Sequence, residues 1–551
     1  MKNKLKLLLA IGAIGIVLTG CFDNNKHEGM DHSNMNKNEQ KEALTNTTKP
    51  KQEPNTAMLT KQTPVVNGKE YTITAQASNL KVSNDKTLPV WTFNNSVPGP
   101  EIRVKVGDTV KINLKNELEE PVSIHWHGYP VPNAMDGIPG VTQDAVVAGK
   151  TFTYEFKATV PGTYWYHSHQ DSVNQLDKGL YGTFIVEDPN ESYDRDYTLV
   201  LDEWMSSGSM DMGKEAEGES SNHDMGNMEG MDHSQMGHSQ SDSNEMEGMD
   251  HSKMNMGDMG GHDMSMYDLF TINGKSGDAI NKLVVKEGDK VRIRLINAGY
   301  ITHTMHLHGH EFKIIASDGQ PVNSPAVITD QGISIAPGER YDIEFTANNP
   351  GNWLLEEHGK DERVKNMRTV IAYEGVTAQT DASNAKEQLP AFDLTNYGKQ
   401  AQTKFSLNQK FDQDVLMNLN TEMKDGKMVY TINGKVFPDT DRIKVDKGEK
   451  VKVTFVNKSM KDDHPMHLHG HFFQVLSRNG NPLEGSPVIK DTLNVKPGEE
   501  YVIAFEADNP GDWMFHCHDL HHAADGMVTD VMYNGYKSNY IPDPSVGNKP
   551  E

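Results

Sequence analysis

The chain has 551 residues, enough for three or four domains that each bury a core of their own. Its formal charge is 53 − 78 = −25, a surface that repels phosphate backbones and gathers cations, so nucleic acid is not an expected partner. Aromatics are few, Gly is plentiful at 47, and Val-rich alternating segments recur, a mixture that predicts an all-β chain of short strands joined by turns.

Residues 1–20 carry Lys2, Lys4 and Lys6 ahead of an apolar run from Leu7 to Leu18, the layout of a signal peptide and too short to span a bilayer comfortably. The run ends in Leu18-Thr19-Gly20-Cys21, which resembles a bacterial lipoprotein box. That resemblance implies cleavage before Cys21, lipid on its sulfur, and an exported protein held at the outer face of the cell membrane. Residues 21–61 are polar with almost nothing to bury and read as a disordered, lipidated tether. The only other cysteine is Cys517, so an exported chain has no intramolecular disulfide to make and this thiol is buried, reactive or metal-bound.

Past the tether the sequence repeats. Val104-Lys-Val-Gly-Asp-Thr-Val-Lys-Ile-Asn-Leu-Lys-Asn116 is matched by Val285 to Asn297 and by Val445 to Asn457, each a turn followed by a strictly alternating strand. Each copy closes on a Pro-Gly turn, at Pro161-Gly162, Pro350-Gly351 and Pro510-Gly511. Three copies of one β unit, each over about a hundred residues, predict related sandwich domains or small barrels rather than a solenoid. The boundaries expected are 62–195, 196–385 and 386–540, with a tail over 541–551. Residues 205–266 form a low-complexity insertion in the second unit, holding 14 of the 29 Met together with His223, His233, His238, His251 and His262.

Seven His-x-His triplets occur, far more than 24 His would give by chance. Four stand in separate blocks: His125-Trp-His127, His167-Ser-His169, His467-Leu-His469 and His516-Cys-His518. On a strand the side-chain period is two, so both His of a pair can enter one metal site, while Cys517 faces away from His516 and His518. On the Cys517 side, His522 and Met527 follow closely and His464 precedes. Cys, two His and a weak axial Met is a blue-copper ligand set; zinc would take Cys and His but is redox-inert and binds a thioether poorly.

These blocks resemble the four copper-binding signatures of the multicopper oxidases, over roughly residues 62–537. The resemblance implies three cupredoxin-like Greek-key β-sandwich domains and four coppers per chain. Carried over residue by residue, it implies a type 2 copper on His125 and His467. It implies a type 3 pair, one on His127, His167 and His518, the other on His169, His469 and His516. The type 1 copper falls to His464, Cys517, His522 and Met527. The repeat sets Glu357 at the Cys517 position, Glu356 at His516 and Glu362 at His522, and the first copy has Ser168 at the Cys position, so one type 1 centre per chain is expected. The middle block His303-Thr-Met-His306-Leu-His308-Gly-His310 is read as a relic of duplication with satisfied imidazoles, a separate metal site being the alternative.

Asp136, in Pro132-Asn-Ala-Met-Asp-Gly137, sits where the family places a proton-delivering carboxylate, and it is also a natural turn residue before Gly137. Where many bacterial relatives have a Glu after the second blue-site His, this chain has Ala523, leaving His521 or Asp525 as substitutes. The expected partners are therefore dioxygen and a one-electron reductant. Cu(I) is favoured because Gly-Met-Asp-His-Ser-x-Met recurs at Gly230, Gly248 and Gly29, thioethers being soft ligands for that ion. A small phenol, or another metal ion, is the alternative reductant.

Overall fold

The computed structural model describes residues 65–67, 69–207, 264–359, 362–377 and 389–550. The signal peptide, Cys21 and the tether lie outside the described residues, as does the insertion apart from 205–207 and 264–266.

The repeated segment forms the same strand three times: Thr109–Asn116, Lys290–Asn297 and Lys450–Asn457. Each lies antiparallel to one strand, Thr151–Lys157, Arg340–Thr346 or Glu500–Glu506, and parallel to another, Glu70–Lys81, Arg195–Trp204 or Gln413–Lys424. The terminal Asn of each has one job. Asn116, Asn297 and Asn457 are buried, and each Nδ2 donates to two backbone carbonyls while each Oδ1 accepts a backbone N–H two residues on. The first and third copies keep the alternation of buried and open positions that the sequence shows. The middle copy is buried almost throughout, because Arg292 and Arg294 face Asp342 and Asp196, with Thr163 of the first unit beside them.

Among the described residues the strands form six sheets, two in each repeated unit, and each facing pair encloses a separate apolar core. The second sheet of the last unit runs Ile443–Val445, Val528–Tyr533, Asp512–Cys517, His464–Leu468, Thr492–Val495; that of the middle unit runs Leu283–Val285, Arg368–Tyr373, Asn352–Glu357, His303–Leu307, Ile333–Ile335. Their registers correspond. Met466 pairs with Cys517 and His467 with His516, as Met305 pairs with Glu357 and His306 with Glu356.

Residues at the end of the chain do not hang free. Asn548 Oδ1 accepts the Ala145 N–H at 2.9 Å, Lys549 N–H donates to Gln170 Oε1 at 2.9 Å, and Pro550 bridges to Gln170. The last segment is thus a strap back to the first unit.

Candidate metal centre

All eight imidazoles of the four blocks are buried, each at 1% exposure or less. The sequence places them at strand ends: His167 closes Gly162–His167, His467 lies in His464–Leu468, and His516 and Cys517 end Asp512–Cys517. His125 bridges backbone to backbone with His167, and His518 N–H donates to Pro465 O, so the first and last units present their His to a common space. There the ligand atoms of His127, His167 and His518 lie within 4.8 Å of one another, and so do those of His169, His469 and His516, and of His125, His127 and His467.

The ring nitrogens divide into held and unheld. His125 Nδ1 lies 2.9 Å from Asp136 O, His467 Nδ1 3.0 Å from Asp491 O, His167 Nδ1 2.9 Å from Ser168 O and His516 Nδ1 2.9 Å from Cys517 O. His469 Nδ1 is 3.1 Å from Asp136 Oδ2, and His127 Nε2 is 3.0 Å from the Thr492 hydroxyl. Their other nitrogens point inward. His125 Nε2, His127 Nδ1, His167 Nε2, His467 Nε2 and both nitrogens of His169 and His518 are buried without a hydrogen-bond partner, and the Nε2 atoms of His469 and His516 face each other at 2.9 Å. Orphaned buried acceptors on this scale cost free energy unless a cation takes their lone pairs. Burial, with the neighbouring imidazoles next in weight, holds His127, His167, His169, His469 and His518 well below the usual imidazole range, and His516 is pushed down to about 3. The rings are therefore neutral and competent as donors.

Cys517 Sγ lies 3.9 Å from His464 Nδ1 and 3.5 Å from His522 Nδ1, with all three buried and Met527 buried in the same core. These are the edges of a small trigonal set. The Ser459 hydroxyl, 2.7 Å from His464 Nε2, and the Asp519 carboxylate, 3.3 Å from His522 Nε2, fix the outer face of each ring, and Tyr430 stacks on His522 at 3.8 Å. Burial pushes the Cys517 thiol up, the reverse of what a reactive cysteine needs, so a thiolate forms here only where a bound cation stabilises it.

Asp136 is a carboxylate shared by two rings, with Oδ1 3.2 Å from His125 Nδ1 and Oδ2 on His469. Gly137 lets it sit there: at φ +80° a Cβ would come 1.8 Å from Ile124 O. His521 Nε2 lies 3.2 Å from the Tyr267 hydroxyl, which in turn bonds Asp177, whereas Asp525 is exposed. Sequence reasoning missed Asp491, Thr492 and Arg340, which no motif marks. Asp491 is fully buried, 3.3 Å from His127 Nε2 and 3.5 Å from His467 Nδ1, and held bidentately by Arg340 of the middle unit at 2.7 and 2.6 Å. Burial alone would raise this carboxyl; Arg340 holds it well below the usual range.

The middle block divides as well. His310 is held between Tyr373 and His308 O, as expected of a satisfied imidazole, whereas His303 meets Glu203 through Nε2 alone and its Nδ1 is buried without a hydrogen-bond partner. His306 and His308 instead meet His358, with the three ligand atoms within 4.8 Å of one another.

Three multicopper oxidase domain families match the chain, at residues 74–191, 195–375 and 408–535. Among curated relatives it is 31% identical to multicopper oxidase MmcO of Mycobacterium tuberculosis, over 84% of this chain and 86% of that protein, and 24% identical to copper resistance protein A of Escherichia coli, over 80% and 88%. Its fold matches the crystal structure of a laccase from Botrytis aclada with a TM-score of 0.64 at 22% identity, over 88% of this chain and 91% of that one. The chain belongs to the multicopper oxidases, an oxygen-dependent, copper-binding oxidoreductase built from cupredoxin-like β-sandwiches.

Proposed function

We propose that the protein oxidises Cu(I) to Cu(II), four ions for each dioxygen reduced with four protons to two waters, and so serves copper tolerance. In this reading four coppers are bound: type 1 on His464, Cys517, His522 and Met527, type 2 on His125 and His467, and a type 3 pair on His127, His167, His518 and on His169, His469, His516. Bound copper supplies the one-electron chemistry that joins a single-electron donor to a four-electron acceptor. The chain itself supplies the path, because Cys517 is covalently flanked by His516 and His518 and so links the outer site to the inner one. Asp136, buried against His125 and His469, orients both rings and holds a proton acceptor at the inner site.

The observation that carries Cu(I) is a cleft of about 390 Å³ lined in part by His522. Asp462, Asp463 and Asp519 line it against Lys461 and Arg363, and so does Met264, which belongs to the described end of the Met-rich insertion. A soft thioether and several carboxylates beside the electron-accepting imidazole suit a soft cation, and the insertion would deliver it there. The name of the relative copper resistance protein A agrees. A second reading, a laccase-like phenol oxidase, is favoured by the apolar walls of the same cleft, Phe270, Ile301, Pro337 and Tyr430. Storage of copper alone has no use for a Cys-linked pair of sites. We infer further that the protein is exported and tethered by lipid on Cys21, which Cys21→Ser would test by releasing it from the membrane fraction.

Deleting residues 206–265 distinguishes the two substrates. Oxygen uptake with Cu(I) as sole reductant is expected to fall several-fold more than uptake with a small phenol, with the blue absorption intact. Equal losses for both, or none, would give the phenol reading first place.

A further inference from the structure

The middle unit carries donors where the last unit carries half of its inner site. Equivalence by sheet register and repeat sets His306 at His467, His308 at His469, Glu356 at His516 and His358 at His518. Glu356 and Glu357 stand where the last unit has His516 and Cys517. The structure shows that only Glu357 is lost to other work: its carboxylate accepts the Thr304 N–H at 2.9 Å and also bonds the Gly359 N–H. Glu356 still points at the imidazoles.

Four donors converge. His358 Nε2 lies 3.4 Å from His306 Nδ1, 3.3 Å from His308 Nε2 and 3.4 Å from Glu356 Oε1, and His308 Nε2 lies 2.9 Å from Glu356 Oε1. Ligands at about 2.0–2.1 Å from a tetrahedral ion stand about 3.3–3.4 Å apart, so three of these four edges already match such a site. Three imidazole nitrogens and a carboxylate oxygen brought this close hold few protons between them, and a cation can displace those it meets, while the second nitrogen of His306, outside these contacts, lies 3.8 Å from Asp330 Oδ1. The side chains of His358 and Glu356 are 14% and 16% exposed, which gives an ion a way in from solvent.

We propose that His306, His308, His358 and Glu356 form a mononuclear site for a borderline divalent cation, Zn(II) by its tetrahedral edges and Cu(II) as its competitor. With three imidazoles, one carboxylate and no thiolate, the set suits either ion over Ca(II) or Mg(II), and the anionic Glu356 offsets part of the charge. The ion ties strand His303–Leu307 to strand Asn352–Glu357. It is independent of the four coppers, since none of its donors belongs to them.

The test counts metal on copper-loaded holoenzyme cleared of loose ions and then given Zn(II) alone or, in a parallel arm, Cu(II) alone. The parent is expected to retain one equivalent per chain more than the His308→Ala/His358→Ala variant, with Zn(II) raising the unfolding temperature of the parent and leaving that of the variant in place. Binding to the Met- and His-rich insertion cancels in the difference. Blue absorption and phenol turnover are expected to be unchanged. Should the double variant fail to fold, His358→Gln, at the partly exposed donor, reads the same loss. A one-equivalent difference in the Cu(II) arm alone assigns the site to copper; equal metal content of parent and variants in both arms overturns the proposal.

Discussion

A thiolate beside two imidazole nitrogens has one spectroscopic consequence with copper bound, an intense blue charge-transfer band. Cys517→Ser is expected to abolish it while the inner coppers are retained, and a variant that stays blue would remove Cys517 from the site. Asp136→Asn is expected to keep copper and colour but to slow reoxidation by dioxygen by about 10²-fold, the usual scale for a lost proton-transfer group; unchanged single-turnover kinetics would reduce Asp136 to the turn before Gly137. A third residue acts through pH. Burial pushes the Asp177 carboxyl up to about 8 from 3.8, against the opposing hydrogen bond from Tyr267. The folded state therefore holds a proton that the unfolded state releases, so stability is present at low pH and is lost as pH rises from near 4 through 8. Asp177→Asn, uncharged throughout, is expected to flatten that decline in calorimetric scans between pH 6 and 8; a slope equal to the parent's would show that the group ionises normally.

At the scale of single elements, the repeated turn is held by a side chain. Asn457 closes three backbone hydrogen bonds in a buried turn that leads into strand His464–Leu468. Asn457→Ala leaves those groups unpaired and is expected to cost about 2–3 kcal/mol in denaturant unfolding, with the equivalent Asn116→Ala costing the same within error if the three turns are one device. This is also where the limit of sequence reading shows. The alternation of Lys450–Asn457, the His-x-His pairs and the lone Cys517 were legible because period-two strands convert spacing directly into facing. Asp491 and Arg340 were not, since a buried ion pair between residues 151 positions apart leaves no local pattern. Glu356 misled for the opposite reason: a substitution that removes one site's ligand can retain a donor for another.

At the scale of the whole molecule, a single guanidinium joins all three units. Arg340 of the middle unit, fully buried, donates to Thr163 O of the first unit at 3.3 Å and bidentately to Asp491 of the last, and the adjacent Gly338 at φ +82° lies so close to His518 and His127 that a Cβ would come within 3.0 Å of both. The middle unit thus packs against the inner imidazole cluster, none of whose eight His belongs to it. Arg340→Met removes the charge that holds Asp491 ionised and leaves a buried carboxylate uncompensated beside His127 and His467, a change of about 3–5 kcal/mol for broken buried pairs. The expected result is a lower unfolding temperature together with loss of copper from the inner site, counted as metal per chain, while the blue band survives because His464, Cys517, His522 and Met527 touch neither residue. Arg340→Met with Asp491→Leu removes both charges at once, so it is expected to recover much of the stability but not the inner copper, whose His467 then lacks its outer carboxylate. Recovery of both would show that Asp491 only balances Arg340, and loss of blue absorption in the single variant would show that the two metal sites are not separable by this interface.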